Sequence, residues 1–222
     1  MNYYLKNPER LLGLATQLWN GLGQSLIIFV MTLLFSLPLG VVLALARMSK
    51  HKILSVPTRI YLLIMRGTPL ILQIFTIYFL IPMLIGHAFN RLPAAIIAFV
   101  LNYAAYFAEI YRGGIMAIPR GQYEAGQVLG MTKNQVFLRI VLPQVVKNVL
   151  LPISNEVVTL VKDTALVIGV GIIDMFSAAK KATSTSGSLV PLFAAGLVYL
   201  LLNSLVTTVF NRLIKHFDYY KA

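Results

Sequence analysis

Charged residues and cysteine are what this sequence has least of. Only 12% of its 222 residues are Asp, Glu, Lys or Arg, against roughly 25% in soluble domains. It has no cysteine, which excludes disulfide bonds and thiolate metal sites. No segment matches the phosphate-binding pattern G-x-x-x-x-G-K-[ST], and the three histidines lie far apart in loops or chain ends, so neither a nucleotide site nor a catalytic triad can be assembled. If the protein does energetic work, another chain supplies the energy.

Apolar sequence is abundant instead. Hydrophobic residues make up 58% of the chain and the mean hydropathy is +0.79, which places the chain in a membrane. The net charge of +12 then follows from the cationic loops of a membrane protein, and nucleic acid is not expected as a partner. The first ten residues, MNYYLKNPER, lack the basic-then-apolar order of a signal peptide.

The apolar runs predict an all-α membrane protein with five transmembrane helices, since each span needs about 20 residues. Leu11–Asn20 is expected to be an interfacial lead-in, Pro69 a kink within the second span, and Asp174–Ser188 a loop. The predicted spans are Gly21–Ala46, Val56–Leu84, Leu92–Arg112, Lys147–Ile173 and Leu189–Asn211.

The distribution of Lys and Arg predicts the orientation. Twelve lie on one side of the predicted spans and five on the other, which leaves only Arg66 and Lys162 of the 19 at membrane depth. The side with twelve is expected to be cytoplasmic. Residues 1–20 are therefore predicted to be extracellular or interfacial, residues 21–215 to form the membrane domain, and residues 216–222 to be a cytoplasmic tail.

One polar stretch, Glu124–Pro143, interrupts the apolar runs on the cytoplasmic side. Gly130 suits a helix C-terminus in the left-handed conformation, and Thr132 with Gln135 matches a capping box that starts a second helix. Pro143 interrupts this second pattern. The stretch, within a loop spanning 118–143, is therefore predicted to be two short helices joined by a sharp turn, too brief to cross a bilayer and suited to docking.

Polar residues inside the fourth span are candidates for function, because charge at membrane depth is expected to face a cavity or a partner. Glu156 and Lys162 are about 9 Å apart along a helix axis, and could hold the ammonium and carboxylate of a zwitterion. The alternative is a structural ion pair or a subunit contact. The candidate substrate-binding residues are Glu156, Lys162, Asn102, Thr68, Gln73, Thr159 and Asp163.

Glu109 and Arg112 lie three residues apart at the end of the third span. At this spacing they can form a local ion pair on one helix face. A gating role is the alternative.

The polar stretch resembles a known family motif. Glu124-Ala125-Gly126, then Gly130, then Ile140-Val141-Leu142-Pro143 fits E-A-A-x3-G-x9-I-x-L-P, the cytoplasmic loop pattern of bacterial ATP-binding-cassette importer permeases, apart from Gly126 in place of alanine. Other segments resemble the polar amino-acid, histidine/glutamine-type branch of that group. They are Arg66–Leu70, Ala105–Ile115, Ile118–Gln122 and Lys162–Leu166.

The resemblance implies a type I importer permease of the MetI-like kind in the bacterial cytoplasmic membrane. Its implied partners are cytoplasmic ATPase subunits, an extracellular or periplasmic substrate-binding protein, a second permease subunit and a polar amino acid. The chain itself would need no cofactor, since ATP and Mg²⁺ bind the ATPase. Glu124–Gly130 would be the coupling helix. The residues expected to meet the ATPase are Glu124, Ala125, Gly126, Leu129, Gly130 and Ile140.

Two functions of other classes remain open at this point. An integral-membrane enzyme would use Glu109, Glu156 and Asp163 for acid–base chemistry. A secondary transporter would couple through the same carboxylates and would need a complete pathway within one chain or its dimer.

Overall fold

A computed structural model describes Tyr4 and residues 8–217, and all regular structure within them is helical. Within this described part of the chain, four helices are long and apolar enough to cross a membrane, and a bent helix pair makes a fifth span if it is counted as one. In chain order the helices are α1 Pro8–Met48, α2 Lys52–Gly67, α3 Leu70–Ile85, α4 Arg91–Met116, α5 Arg120–Val128, α6 Lys133–Val170, α7 Met175–Ser186 and α8 Val190–His216.

Helix α4 forms the centre of the bundle, and its Phe99, Tyr103 and Phe107 are among the largest fully buried side chains. Helix α1 lies along it through a buried stripe of small and hydroxyl side chains. Thr32 and Ser36 within that stripe have no exposed surface, and a Cβ at Gly40 would lie 2.8 Å from Phe107 Cβ. Small residues at this contact let the two helices approach closely, as membrane helix pairs do.

The predicted lead-in before residue 21 is not a separate segment, because α1 runs unbroken from Pro8 to Met48. At 1.5 Å per residue it is about 60 Å long, roughly twice the thickness of a bilayer core. Its first turns pack on α7, where Leu14 and Leu18 join a buried cluster with Met175 and Ala179.

The prediction of one kinked second span was wrong in its geometry. Helices α2 and α3 are separated at Thr68 and Pro69, and the helix axis changes direction by 111° between them. Proline lacks an N–H and disfavours helical backbone in the residue before it, so Thr68 is extended, with φ −122° and ψ 147°. The result is a corner rather than a bend.

The prediction that Pro143 ends a second short helix was also wrong. Phe137–Val141 forms a π-helical turn in which the Leu142 N–H bonds to the Phe137 carbonyl, and α6 continues to Val170. The hydrogen bonds of a π turn reach back five residues instead of four. This wider turn lets the helix continue through Pro143, which has no N–H to donate. Another π turn ends two residues before Pro82 in α3.

The predicted loop Asp174–Ser188 is helical over Met175–Ser186. Asp174 caps its N-terminus by accepting hydrogen bonds from the N–H groups of Phe176 and Ser177, and Gly187 ends it in the left-handed conformation. The small polar residues in its sequence obscured a buried face formed by Ala178, Ala179 and Ala182.

The contact between α1 and α7 has no room for a side chain at Gly21. A Cβ there would lie 2.7 Å from the Asp174 carbonyl atoms and 2.8 Å from Met175 Cα. We therefore expect Gly21→Ala to destabilise the protein by about 1–3 kcal/mol, measured as a lowered thermal unfolding temperature in detergent.

The matched control is Gly23→Ala on the same helix, where a Cβ would meet nothing within 4 Å. Alanine favours helix over glycine by roughly 0.5–1 kcal/mol, so this variant should be as stable as the parent or more so. Equal destabilisation by both variants would contradict the packing of α1 on α7.

Candidate functional site

A cleft of about 380 Å³ lies where the end of α2 meets α4 and α6. Arg66 enters from α2, Tyr106 and Glu109 from α4, and Asn148 and Glu156 from α6. The volume falls near the lower end of the range for small-molecule pockets, about 300–1,000 Å³. Groups of both charges therefore line one small cleft.

Two guanidinium groups share the Glu109 carboxylate. Arg112 donates to Glu109 Oε2 from Nη2 at 2.6 Å and from Nε at 3.1 Å, which confirms the predicted local pair. Arg66 Nη1 lies 3.8 Å from the same oxygen, and its Cζ lies 5.5 Å from the centre of the Tyr106 ring. With two cations to one anion, this end of the cleft can attract a further carboxylate.

Glu156 supplies negative charge from α6. Its side chain is half-buried, and no described residue forms an ion pair with it within 4 Å. An unpaired carboxylate in a partly dry cleft is suited to binding an ammonium group. The cleft thus presents separate partners for the two ends of a zwitterion, Glu156 for the ammonium and Arg66 for the carboxylate.

The predicted polar residues Thr68, Gln73 and Asn102 come together at the corner between α2 and α3. Gln73 Nε2 donates to the Met65 carbonyl at 2.9 Å, the Thr68 carbonyl at 3.2 Å and the Thr68 hydroxyl at 2.8 Å. Asn102 Nδ2 donates to the Met65 carbonyl at 2.9 Å and to Gln73 Oε1 at 3.0 Å. Thr68 Oγ1 donates to the Ile64 carbonyl at 2.8 Å.

These hydrogen bonds satisfy carbonyl groups that the end of α2 leaves without helical partners. In a membrane such carbonyl groups have no water to bond to, so side-chain donors must take the place of water as their partners. Arg66 lies between Met65 and Gly67 at this corner. The side chains of Gln73 and Asn102 therefore fix the backbone from which Arg66 reaches into the cleft.

The remaining candidates on α6 lie apart from one another. Lys162 and Thr159 are exposed, and the Thr159 hydroxyl donates to the Asn155 carbonyl at 3.0 Å. Asp163 is half-buried and accepts a 2.8 Å hydrogen bond from Tyr103. No ion pair joins Lys162 to Glu156 among the described residues.

The polar loop folds locally as its sequence predicts. Helix α5 ends at Val128, and Gly130, two residues later, has a φ of +72°. The Met131 N–H bonds to the Gly126 carbonyl at 3.0 Å and the Gly130 N–H to the Gln127 carbonyl at 2.9 Å. This is the Schellman arrangement. The predicted capping box is confirmed, since Gln135 N–H donates to Thr132 Oγ1 and Thr132 N–H to Gln135 Oε1.

The six loop residues proposed for docking divide between two sides. Glu124, Ala125, Leu129 and Gly130 are exposed, whereas Gly126 is buried and Ile140 half-buried. A Cβ at Gly126 would lie 2.6 Å from Val136 Cγ2 and 3.3 Å from Ile140 Cδ1. Glycine at 126 thus lets the two helices of the loop close on each other.

Sequence reasoning missed several residues of these sites. Val128 is the most exposed apolar residue of α5, at 88%, and its apolar character next to Leu129 was the available signal. The charge of Arg66 at membrane depth marked it as unusual. No sequence pattern indicated that its partner Tyr106 or Asn148 would line the cleft. Among the described residues, no three His, Asp or Glu side chains converge on a possible metal site.

Comparison with known proteins places the chain among transport proteins. A model of the family of binding-protein-dependent transport system inner membrane components matches residues 36–219. The chain is 38% identical over 190 residues to the arginine transport system permease protein of Bacillus subtilis, covering 85% of this chain and 87% of that protein. It is 34% identical over 208 residues to the L-cystine transport system permease protein of the same organism, covering 91% and 87%.

A solved structure has the same fold. The crystal structure of an amino acid ABC transporter with histidines superimposes with a TM-score of 0.86 at 26% identity, covering 95% of this chain and 98% of that one.

The corner between α2 and α3 can be tested with spin labels, because the chain has no cysteine of its own. Cysteines introduced at the exposed positions Leu54 and Met83 should carry labels roughly 25 Å apart at the 111° corner, against roughly 45 Å for a straight helix. Asn102→Ala removes a donor from two acceptors, so we expect the distance distribution to broaden toward longer values.

Asn155→Ala is the control for that measurement. Asn155 lies exposed on α6, away from the corner, and its removal should leave the distribution unchanged. A long distance in the parent, or no response to Asn102→Ala, would contradict the role of the amide network.

Proposed function

The chain belongs to the family of binding-protein-dependent transport system inner membrane components, and we propose that it is the membrane-spanning subunit of an importer of polar amino acids. The family suggested by the loop pattern is thereby confirmed. The relatives at 38% and 34% identity are named as permease proteins for arginine and for L-cystine. The chain is a transport permease rather than an enzyme, and ATP and Mg²⁺ belong to the ATPase, a separate subunit.

The proposed topology has five spans, with the α2–α3 pair counted as one. The excess of Lys and Arg on one side places the N-terminus outside, the C-terminus inside, and α5 in the cytoplasm of a bacterial cell. The cleft then lies toward the inner side, since Glu109 and Gly113 are in the last turns of α4.

The proposed cargo site is the cleft. The observation that carries this proposal is a carboxylate without an ion pair within 4 Å, Glu156, in the same cleft as the guanidinium of Arg66. Glu156 takes the ammonium of the amino acid and Arg66 takes its carboxylate, displacing part of the Arg66–Glu109 contact. Gln73, Thr68 and Asn102 support Arg66 from the corner. Lys162 and Thr159 face outward on α6 and are assigned to a neighbouring subunit or to the pathway between two permease chains.

Helix α5 is the proposed docking element for the ATPase. Val128 and Leu129 are 88% and 76% exposed, and on a cytoplasmic loop such apolar side chains are suited to a groove on a partner. Glu124 and Ala125 lie on the same short helix, and Gly126 with Ile140 holds that helix against the start of α6.

The structure of α6 supports a mechanical link between docking and cargo. The helix begins in the docking loop at Lys133 and continues through the π turn to Asn148 and Glu156 in the cleft. Motion that the ATPase imposes on α5 would move the start of α6 and, through it, one wall of the cleft. This is a rigid-body route to alternating access about a fixed site.

Glu156→Gln tests the cargo site. Removing the charge that binds the ammonium should raise the concentration for half-maximal uptake about tenfold or more, the loss expected for one charge-assisted contact. Basal ATP hydrolysis by the assembled transporter should persist. The measurement is uptake of radiolabelled amino acid into proteoliposomes, with ATP hydrolysis recorded in parallel.

Lys162→Gln provides the comparison for Glu156→Gln, since Lys162 is exposed on the same helix. A smaller effect of Lys162→Gln than of Glu156→Gln on the concentration for half-maximal uptake would support the cleft as the cargo site. Normal uptake by the Glu156→Gln variant would show that this carboxylate is structural.

Leu129→Asp tests docking. A charge on the exposed apolar tip of α5 should oppose burial in an ATPase groove and reduce ATP-driven uptake by at least about tenfold, while the subunit still inserts in the membrane. Leu129→Met retains apolar contact and should keep most of the activity. Full uptake by the aspartate variant, with the ATPase still co-purifying, would rule out this docking surface.

A further inference from the structure

Helix α2 carries a row of cations along one face. Lys52, Arg59 and Arg66 follow one another at intervals of seven residues. Each is therefore turned by only about 20° from the one before, and successive side chains start about 10 Å apart along the helix axis. All three residues are exposed. The row begins at the first residue of α2 and ends at Arg66 in the cleft.

The packing of α2 on α1 and α4 fixes the direction in which this row points. Leu62 of α2 is buried in one cluster with Ala44 of α1 and Ala105 of α4. The Tyr61 hydroxyl donates to the Leu101 carbonyl of α4 at 2.6 Å. These contacts hold α2 against rotation about its own axis. Since Arg66 enters the cleft, Arg59 and Lys52 on the same helix face lie on the inner side of it.

A third face of α2 is apolar and exposed. Ile53, Ile60 and Ile64 are 87%, 52% and 52% exposed, and they lie roughly 100° or more around the helix from the cationic row. Aliphatic side chains are suited to acyl chains, whereas a cation at membrane depth is expected to face a cavity or a partner. The isoleucine face is therefore the lipid side of α2, and the cationic row faces away from lipid.

Little negative charge compensates this row. The sequence has no Asp or Glu between Glu9 and Glu109, so α2, α3 and all but the first turn of α1 supply none. Arg66 Nη1 lies 3.8 Å from Glu109 Oε2. Lys52 and Arg59 form no ion pair within 4 Å with any residue that the structure describes. Both cations are therefore available to an anion that leaves the cleft.

We propose that Lys52 and Arg59 line the inner half of the cargo pathway and receive the carboxylate of the amino acid in turn after it leaves Arg66. The proposal rests on the cargo site and the topology given above, and it extends them from the cleft to the cytoplasm. Conduction of a charged solute needs several sites that each bind weakly enough to release it. Exposed cations meet this condition, because water and salt screen their attraction.

The direction of the row can be tested with introduced thiols, because the chain has no cysteine of its own. Arg59→Cys and Ile60→Cys place thiols at neighbouring positions on the two different faces. Each variant is assembled with its partner subunits in nanodiscs of phosphatidylcholine, without nucleotide. Modification by the membrane-impermeant anion sulfonatoethyl methanethiosulfonate is followed by mass spectrometry of this chain.

Arg59→Cys should react at least about tenfold faster than Ile60→Cys, because water reaches the cationic row and Lys52 and Arg66 attract the anionic reagent. Equal rates for the two thiols, or a faster reaction of Ile60→Cys, would overturn the assignment of the row to the pathway.

Uptake of radiolabelled amino acid into proteoliposomes tests what the row does. Arg59→Gln should lower the maximal rate of ATP-driven uptake about tenfold. The half-saturating concentration should stay unchanged, because Arg59 acts after the cargo has left the cleft. Arg59→Lys keeps the charge and should retain most of the rate. Arg212→Gln makes the same charge change at an exposed position near the inner end of α8 and should leave the rate unchanged.

Full uptake by Arg59→Gln, or equal losses in Arg59→Gln and Arg59→Lys, would overturn the role in release. A loss in Arg59→Gln seen only when the vesicles contain phosphatidylglycerol would assign the row to lipid headgroups and would also overturn it. Absence of ATP-driven uptake by the parent transporter would instead overturn the proposed importer function itself.

Discussion

The hydrogen bonds that close the corner between α2 and α3 are the interaction on which the rest of the structure depends. The corner leaves backbone carbonyls of Ile64 and Met65 without helical partners, and a membrane offers no water to satisfy them. Gln73 and Asn102 donate to the Met65 carbonyl instead and the Thr68 hydroxyl donates to that of Ile64, and Asn102 belongs to the central helix α4. The corner is thereby fixed to the core, and Arg66 is held facing Glu109 and Tyr106.

Continuity of α6 is the second condition for the proposed mechanism. A proline near the start of this helix would ordinarily break it, and a break would separate the docking loop from the cleft. The π turn at Phe137–Val141 accommodates Pro143 without loss of the helix. One rigid element can therefore carry displacement from α5 to Asn148 and Glu156, whereas α2 and α3 could not do so across their corner.

The predictable features were those encoded within a few neighbouring residues. Gly130 and the capping box of Thr132 with Gln135 follow from local backbone preferences, and the Glu109–Arg112 pair follows from helix periodicity. The 111° angle at Pro69 depends on side chains from α4, far away in sequence, so the Gly-Thr-Pro signal could indicate a break but not its geometry. Helix α7 was missed because its buried alanines are interrupted by Lys180 and Lys181 and followed by a run of Thr and Ser, a composition typical of loops.

The central claim is that this chain forms a pathway whose energy comes entirely from other subunits. The most direct test is amino-acid uptake by proteoliposomes that contain this permease with its partner permease subunit and binding protein, prepared with and without the ATPase. The account predicts ATP-dependent uptake only when the ATPase is present, and none with an ion gradient alone. Uptake by vesicles that lack the ATPase would contradict it and would identify a self-sufficient transporter.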